Sequence, residues 1–330
     1  MPPEQPSLVS RRPVVRQVRS RLEALVGAPE RDLAEWEELR RRLDAVECNG
    51  RGKPWRETSV LTDLTFRQRP ARTHRQLRQM RDRRLEQGQS ADFDRFWAEC
   101  RRALAPYTLT PHGYRLALDS RDPAALWRTI ADVTARVGDL GHELLLNSGT
   151  LLGLVRDEEL LAHDDDVDLA VVLGRDDSPD AAGAAGQWRE FRHRAAAAGL
   201  LDVGFEERRA SHCRAVADDG LMIDLFPAWQ AGERMYVWPH TYGEVAATDV
   251  LPPEPREVAP GGPVVLLPRR PELLLESNYG PGWREPDPTF RFDWDAAHER
   301  FAGFIAHLGS CRGSGTQPQA GAGPADPAGG

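Results

Sequence analysis

The run His163-Asp164-Asp165-Asp166-Val167-Asp168 leads straight into the apolar stretch Leu169-Ala170-Val171-Val172-Leu173. Side chains along a strand alternate between faces. An extended run that begins at Asp164 sets Asp164, Asp166 and Asp168 on one face and turns Asp165 to the other. Unit charges about 5 Å apart at an effective dielectric of about 20 repel by roughly 3 kcal/mol. Three carboxylates along one edge therefore call for a cation. Oxygen-only ligands favour a hard ion, Mg²⁺ or Mn²⁺, of the kind that also holds substrate phosphates. A bare D-x-D fits a solvated acidic loop equally well. What shifts the reading here is the turn ahead of it and the apolar strand behind it.

That turn is Ser148-Gly149-Thr150, set between the short apolar run Glu143–Asn147 and a helix reaching about Arg156. Glycine lets the backbone approach a ligand, and a helix start presents N–H groups to an anion. Seen alone the turn reads as an ordinary helix cap. Ahead of a D-x-D strand, it could bracket a nucleotide polyphosphate, with amides on one side and a metal on the other. Asp224 is a third element, alone among apolar neighbours in Leu221-Met222-Ile223-Asp224-Leu225-Phe226-Pro227. A buried carboxylate must be paired, metal-bound or protonated. It reads either as a salt-bridge partner of an arginine such as Arg214 or as a further carboxylate of the metal edge, ligand or general base.

The stretch Gly149-Thr150-Leu151-Leu152-Gly153-Leu154-Val155-Arg156, followed by Asp164-Asp165-Asp166-Val167-Asp168, resembles the LicD/fukutin-like family of nucleotidyltransferase-fold phosphotransferases. The family's I-D-h-F-P element is matched by Ile223 to Pro227. Its late Y-G-x-x-W-x-x-P element is matched by Tyr279 to Pro286. The resemblance covers roughly residues 123–295. It implies transfer of a phospho-alcohol group (phosphocholine, ribitol phosphate or glycerol phosphate) from a CDP-linked donor to a sugar hydroxyl of a glycan or lipid-linked precursor, with a divalent metal. By position, Asp166 and Asp168 would be the principal ligands, with Asp164 assisting. Asp224 would be ligand or base. Ser148, Gly149, Thr150 and Arg156 would meet the donor phosphates. His163 stands where the family usually has Trp, and reads as a hydrogen-bond partner, a ligand or an exposed side chain. Tyr279 and Trp283 read either as stacking platforms for a base or sugar or as packing of the last helix; Trp229 and Trp238 are similar cases.

Three other classes compete. A GT-A glycosyltransferase would use Asp166-x-Asp168 to hold a nucleotide sugar, but normally carries a nucleotide-binding βαβ half ahead of its D-x-D. A nucleotidyltransferase acting on a small alcohol would release pyrophosphate. A binding module with a decayed site is disfavoured, because Asp164, Asp166, Asp168 and Asp224 are all present.

The elements around these residues suggest an α/β or α+β domain on a mixed sheet flanked by helices, of nucleotidyltransferase type, behind a helical N-terminal segment. Helical spacing appears over 11–26, 31–47, 71–87, 91–104 and 123–139, with Ser90 as an N-cap, while 49–58 breaks the pattern. Further on, an Ala-rich helix covers 184–199 and another 271–278. Strand-like runs fall at 143–147, 167–173, 201–207, 212–217, 221–226, 234–238 and 264–267. The divisions expected are 1–110, 111–308 and a Gly/Pro/Ala tail, 309–330, read as disordered.

Charge follows the same divisions. The 330 residues sum to −8, yet 1–110 carry 23 Lys+Arg against 16 Asp+Glu, and the remainder 20 against 35. The total argues against a nucleic-acid binder. Every basic residue but Lys53 is arginine, which reads first as composition bias. The Arg-rich front reads as a solvated helical face, or as a surface that meets a polyanionic acceptor or an anionic membrane. Four scattered cysteines without a C-x-x-C pair suit a reducing compartment. No signal peptide or membrane-length apolar run is present, so a cytoplasmic location is expected, with any membrane role at the inner face.

Overall fold

Strand chemistry sets the centre of the second part of the chain. Asp166–Val172 (β4) alternates half-exposed Asp166 and Asp168 with buried Val167 and is then buried through Val172, as expected of an interior strand. The computed structural model describes residues 11–26, 31–46, 51–110, 113–162, 164–174, 179–202, 204, 210–217, 220–286, 290 and 292–309. His163, Cys48, Cys311, the tail from 310 and most of the strand expected at 201–207 lie outside them. Leu201 itself forms an isolated bridge to Ala215. The described chain divides into two units, Met1–Asp122 with Ala162–Asp165, and Pro123–Leu161 with Asp166–Gly330.

The first unit holds helices α1 (Arg11–Leu25), α2 (Leu33–Asp44), α3 (Lys53–Thr65), α4 (Pro70–Glu86) and α5 (Ser90–Leu104). A hairpin follows, β1 (Tyr107–Thr110) with β2 (Gly113–Leu116), in which Tyr107 faces Leu116. The helix α3 lies where the periodicity suggests a break. It is buried on every side, through Trp55, Val60, Leu61 and Leu64 but also Glu57, Thr58, Ser59, Thr62 and Asp63, so it has no amphipathic stripe to read. Packing on it are Val18 and Leu22 of α1, Leu39 and Leu43 of α2, Leu77 of α4, and Phe93, Phe96 and Leu104 of α5. Most polar groups of α3 are answered from inside, while Asp63 Oδ2 accepts no hydrogen bond among the described residues. Arg84 donates to Glu57 at 2.6 Å, the Trp36 indole N–H donates to Asp63 at 3.0 Å, and Arg40 lies 3.8 Å from Asp63. Part of the Arg-rich front is thus internal: Arg40 is 3 % exposed and Arg84 7 %. The N-cap of α5 is Gln89 rather than Ser90, and its side chain makes no capping bond.

The second unit is a mixed sheet of eight strands in the order β8-β7-β6-β4-β3-β10-β9, with β5 on β6. Its strands are β3 (Glu143–Leu146), β4, β5 (Cys213–Ala215), β6 (Met222–Ala231), β7 (Arg234–Val237), β8 (Thr241–Ala246), β9 (Glu254–Glu257) and β10 (Val264–Leu267). β4 runs parallel to β6 and antiparallel to β3, and β10 runs parallel to β3. Helices flank this sheet: α6 (Pro123–Asp139), α7 (Ser148–Arg156), α8 (Ala181–Ala197), α9 (Ala247–Val250), α10 (Pro271–Tyr279), α11 (Trp294–Arg300) and α12 (Ala302–Gly309). The α6 stripe of Leu126, Trp127, Ile130, Val133 and Val137 is buried, and the helix packs on β3 and β10. The Asp180 side chain caps α8 by accepting the Gly183 N–H, and α12 packs on α8. This is the mixed α/β fold with a helical N-terminal segment that the sequence suggests. Among the described residues no helix is long and apolar enough to cross a membrane.

Candidate active site

Parallel pairing of β4 with β6 sets Asp168 directly beside Asp224, and antiparallel pairing of β5 with β6 sets Arg214 on the other side of Asp224. Asp168, Asp224 and Arg214 therefore form one row across three neighbouring strands. Asp166 lies two residues before Asp168 on the same face. The opposite face carries Val167 and Ile223, both fully buried. Arg214 grips Asp224 with both arms, Nε to Oδ1 at 2.7 Å and Nη2 to Oδ2 at 3.0 Å. Burial lowers the Arg214 pKa, but the hydrogen bond to Asp224 and the charges of Asp224, Asp166 and Asp202 outweigh it and leave it raised. Of the readings open for Asp224, the arginine partner is thus present, and it fixes the carboxylate's orientation next to Asp168.

The start of α7 is sewn to the same strand. The Asn147 N–H donates to the Asp168 carbonyl at 3.1 Å, and the Asp168 N–H donates to Thr150 Oγ1 at 2.8 Å. Ser148 opens the helix with φ 44, a left-handed backbone that few residues other than glycine adopt. Asn147, Ser148 and Thr150 are 0 %, 4 % and 3 % exposed, while Gly149 is half-buried. Both polar atoms of the Asn147 side chain and the Ser148 Oγ have no hydrogen-bond partner among the described residues. Leaving a buried polar atom unanswered costs about 1–3 kcal/mol. Two of them, Asn147 Nδ2 and Ser148 Oγ, can donate to an oxygen-rich ligand at the N-terminus of α7, and the oxygen-only acids of the neighbouring strand suit a hard cation. Asn147 was not legible as a site residue, since it reads as the last residue of a strand.

Gly153 shows why the turn and the acidic run stay in register. A Cβ there would lie 2.6 Å from the Glu159 carbonyl oxygen and 2.9 Å from the Leu161 nitrogen. Only glycine lets the 159–161 backbone pass so close over α7.

The acidic run does not begin as a strand at Asp164; β4 starts at Asp166. Asp164 and Asp165 are grouped with the first unit, where the Asp164 carbonyl accepts the Leu118 N–H and the Asp165 carboxylate accepts the Thr110 hydroxyl at 3.0 Å. Along the chain, Asp164, Asp165 and Asp166 still each offer one carboxylate oxygen within 4.8 Å of the others.

The remaining candidates are dispersed. Arg156 donates from Nε and Nη2 to Asp157 at 2.9 and 2.8 Å, a bond that raises its pKa, with Tyr279 adding to the effect. Tyr279 is half-buried, 5.0 Å from the Phe290 ring and 6.1 Å from His240. Trp283 is 5 % exposed with the Arg284 guanidinium 4.3 Å over its ring, and Trp229 and Trp238 are core. The three tryptophans therefore pack the domain rather than offering faces to a ligand.

Residues 141–260 match the model of the family described as LicD/FKTN/FKRP, nucleotidyltransferase domain. No curated protein matches the chain. The family match spans β3, α7, the acidic run, β4 and β6, so it covers every element of the row and of the turn.

Proposed function

We propose, on the footing that residues 141–260 are a LicD/FKTN/FKRP nucleotidyltransferase domain, that the protein is a metal-dependent phosphotransferase. The family supports a transferase. The finer reading is a CDP-linked alcohol as donor and a sugar hydroxyl of a glycan or lipid-linked precursor as acceptor. The observation that carries it is the hydrogen bond from the Asp168 N–H to Thr150 Oγ1, which locks the N-terminus of α7 to the carboxylate strand. One structural joint thus presents donors for phosphate oxygens beside acids for a cation.

Asp166 and Asp168, with Asp164, would hold Mg²⁺ or Mn²⁺. When bound, the cation offsets the donor's phosphate charge and orients its oxygens. The chain's own part is largely positioning and charge balance, which is most of what phosphoryl transfer needs. The Asn147 Nδ2 amide and the Ser148 hydroxyl offer their unanswered donors to the donor's phosphates, with the Gly149 backbone alongside. The acceptor hydroxyl oxygen forms its bond to the phosphorus that bears the alcohol. The bridging P–O bond breaks, CMP leaves with that electron pair, and the hydroxyl proton passes to a carboxylate. Asp224 is the candidate for that proton, since each of its oxygens keeps a lone pair beyond the one that Arg214 occupies.

The test is a donor panel with Mg²⁺: CDP-choline, CDP-ribitol, CDP-glycerol, UDP-sugars and NTPs. Metal-dependent CMP release that Asp166→Asn abolishes supports this reading. UDP release in its place moves the protein to the glycosyltransferases, and pyrophosphate release to the nucleotidyltransferases.

A further inference from the structure

We propose that the turn joining α3 to α4 is a binding site for a phosphate-bearing anion, held by the guanidinium groups of Arg67, Arg69 and Arg72. The site lies wholly within the helical unit and is independent of the carboxylate row.

Charge balance is the first ground. Some arginines of this unit meet acids, Arg19 with Glu57 and Glu99, Arg21 with Glu35, Arg84 with Glu57 and Asp92, and others, such as Arg42 and Arg51, bond neutral oxygens. Among the described residues, Arg67, Arg69 and Arg72 have no carboxylate in a salt bridge. Arg67 lies 4.3 Å over the Tyr107 ring and Arg69 lies 4.9 Å over Trp36. Stacking of this kind holds a guanidinium flat and keeps its edge of N–H donors available for a bidentate oxyanion. Asp63, whose carboxylate feels the charges of Arg69 and Arg72, is fully buried, with one oxygen bonded by Trp36 and the other 3.8 Å from Arg40. Arg40 itself, 3 % exposed, has its Nε without a partner among the described residues.

The placement of these charges is the second ground. Arg67 follows the C-terminus of α3, where a positive charge is favoured, and Arg31 bonds the Thr65 carbonyl there. Arg69 and Arg72 lie at the N-terminus of α4, a 17-residue helix with no acid in its first turn. Cations at that end oppose the helix dipole. An anion reverses the sign of that interaction.

Backbone conformation is the third. Arg67 and Arg69 both have φ 52. Arg67 is the left-handed residue that ends α3, its N–H bonded to the Leu64 carbonyl and the Gln68 N–H to that of Asp63. Glycine is the usual occupant of such a position. An L-residue is disfavoured there, and both positions nevertheless carry arginine.

That conformation supplies a clean test. Arg67→Gly with Arg69→Gly removes both guanidiniums while suiting the backbone, so the fold is kept and thermal unfolding checks it. Calorimetric titration of the full-length protein uses inorganic pyrophosphate at low salt, with a chelator present to silence the carboxylate row. We expect binding that weakens at least about tenfold in the glycine variant and in Arg69→Gln with Arg72→Gln, the loss of charge-assisted hydrogen bonds. Arg101→Gln with Arg102→Gln, exposed on α5, controls for total charge and is expected to bind as wild type. Cosedimentation with phosphatidylcholine vesicles containing phosphatidic acid separates the two sources of phosphate. Pelleting that pyrophosphate displaces assigns a lipid headgroup; pyrophosphate binding without pelleting assigns a soluble phosphate. No binding of either probe, or equal binding by the glycine variant, overturns the proposal. Donor turnover at the carboxylate row is read separately and bears only on the proposed transferase activity.

Discussion

Thr150 Oγ1 accepts the backbone N–H of Asp168 at 2.8 Å, so the first turn of α7 and the acidic strand β4 form one joint. Neither residue can move without the other. This makes Thr150 a positioning residue, and its hydroxyl proton is still able to meet a ligand oxygen. Thr150→Val keeps the shape and removes the acceptor. The Asp168 N–H then loses its partner, and stability should fall by about 1–3 kcal/mol in urea unfolding. Thr150→Ser should recover most of it, an outcome that a pure packing role would not give.

Metal binding should report directly on Asp166. A ligand that binds only the folded state stabilises it by about 2.7 kcal/mol at a hundred times its dissociation constant. Mg²⁺ should raise the melting temperature of the wild type, and that rise should vanish in Asp166→Asn. The same rise in both proteins would remove Asp166 from the metal site.

Arg214→Met tests the row from its other end. It leaves the Asp224 carboxylate buried without its bidentate partner, a loss of about 3–5 kcal/mol for one member of a buried pair. Asp224→Asn should cost less, since an amide still accepts from Arg214. If Asp224 takes the acceptor's proton, Asp224→Asn keeps Mg²⁺ binding and donor binding but loses CMP release. Weakened Mg²⁺ binding would instead make it a ligand.

These joints were only partly legible in the sequence. Asp166, Asp168 and Asp224 stood out because carboxylates inside apolar strands are chemically conspicuous. The sheet-forming runs around them alternate or are wholly apolar, so β3, β4 and β10 lie close to their expected positions. By contrast, α3 is buried on all sides and mixes Glu57, Thr58, Ser59 and Asp63 with Leu61 and Leu64, so helical periodicity has nothing to detect. The partner of Thr150 is a backbone N–H, which has no sequence signature. Arg214 is the arginine the sequence offers to Asp224, and strand register brings it there.

His240 should make stability pH-dependent. Its Nδ1 is buried without a partner among the described residues, and Phe292 lies 4.3 Å from its ring. Burial, and then the charge of Arg300, push its pKa down from 6.5 to about 4. The unfolded chain therefore takes up the proton first as pH falls. Stability is full above about pH 6.5 and is lost progressively toward pH 4, by at most about 3 kcal/mol from this group. Comparing urea midpoints at neutral and mildly acidic pH should show a shallower slope in His240→Phe than in the wild type.

Gly153→Ala is the sharpest test of how the acidic run is aimed. The added Cβ would meet the Glu159 carbonyl oxygen at 2.6 Å and the Leu161 nitrogen at 2.9 Å. Both contacts are backbone, so no side chain can rotate away. Alanine favours the helix itself by about 0.8–1.0 kcal/mol over glycine, which opposes the clash. Overpacking typically costs about 1–3 kcal/mol, so net stability should fall only modestly. The strain is relieved by moving the 159–161 backbone, which leads into Asp164 and Asp166. Mg²⁺ affinity should therefore fall by more than stability does, measured by titration on protein shown to be folded. Unchanged Mg²⁺ affinity in a folded Gly153→Ala protein would separate the close passage over α7 from the geometry of the metal edge.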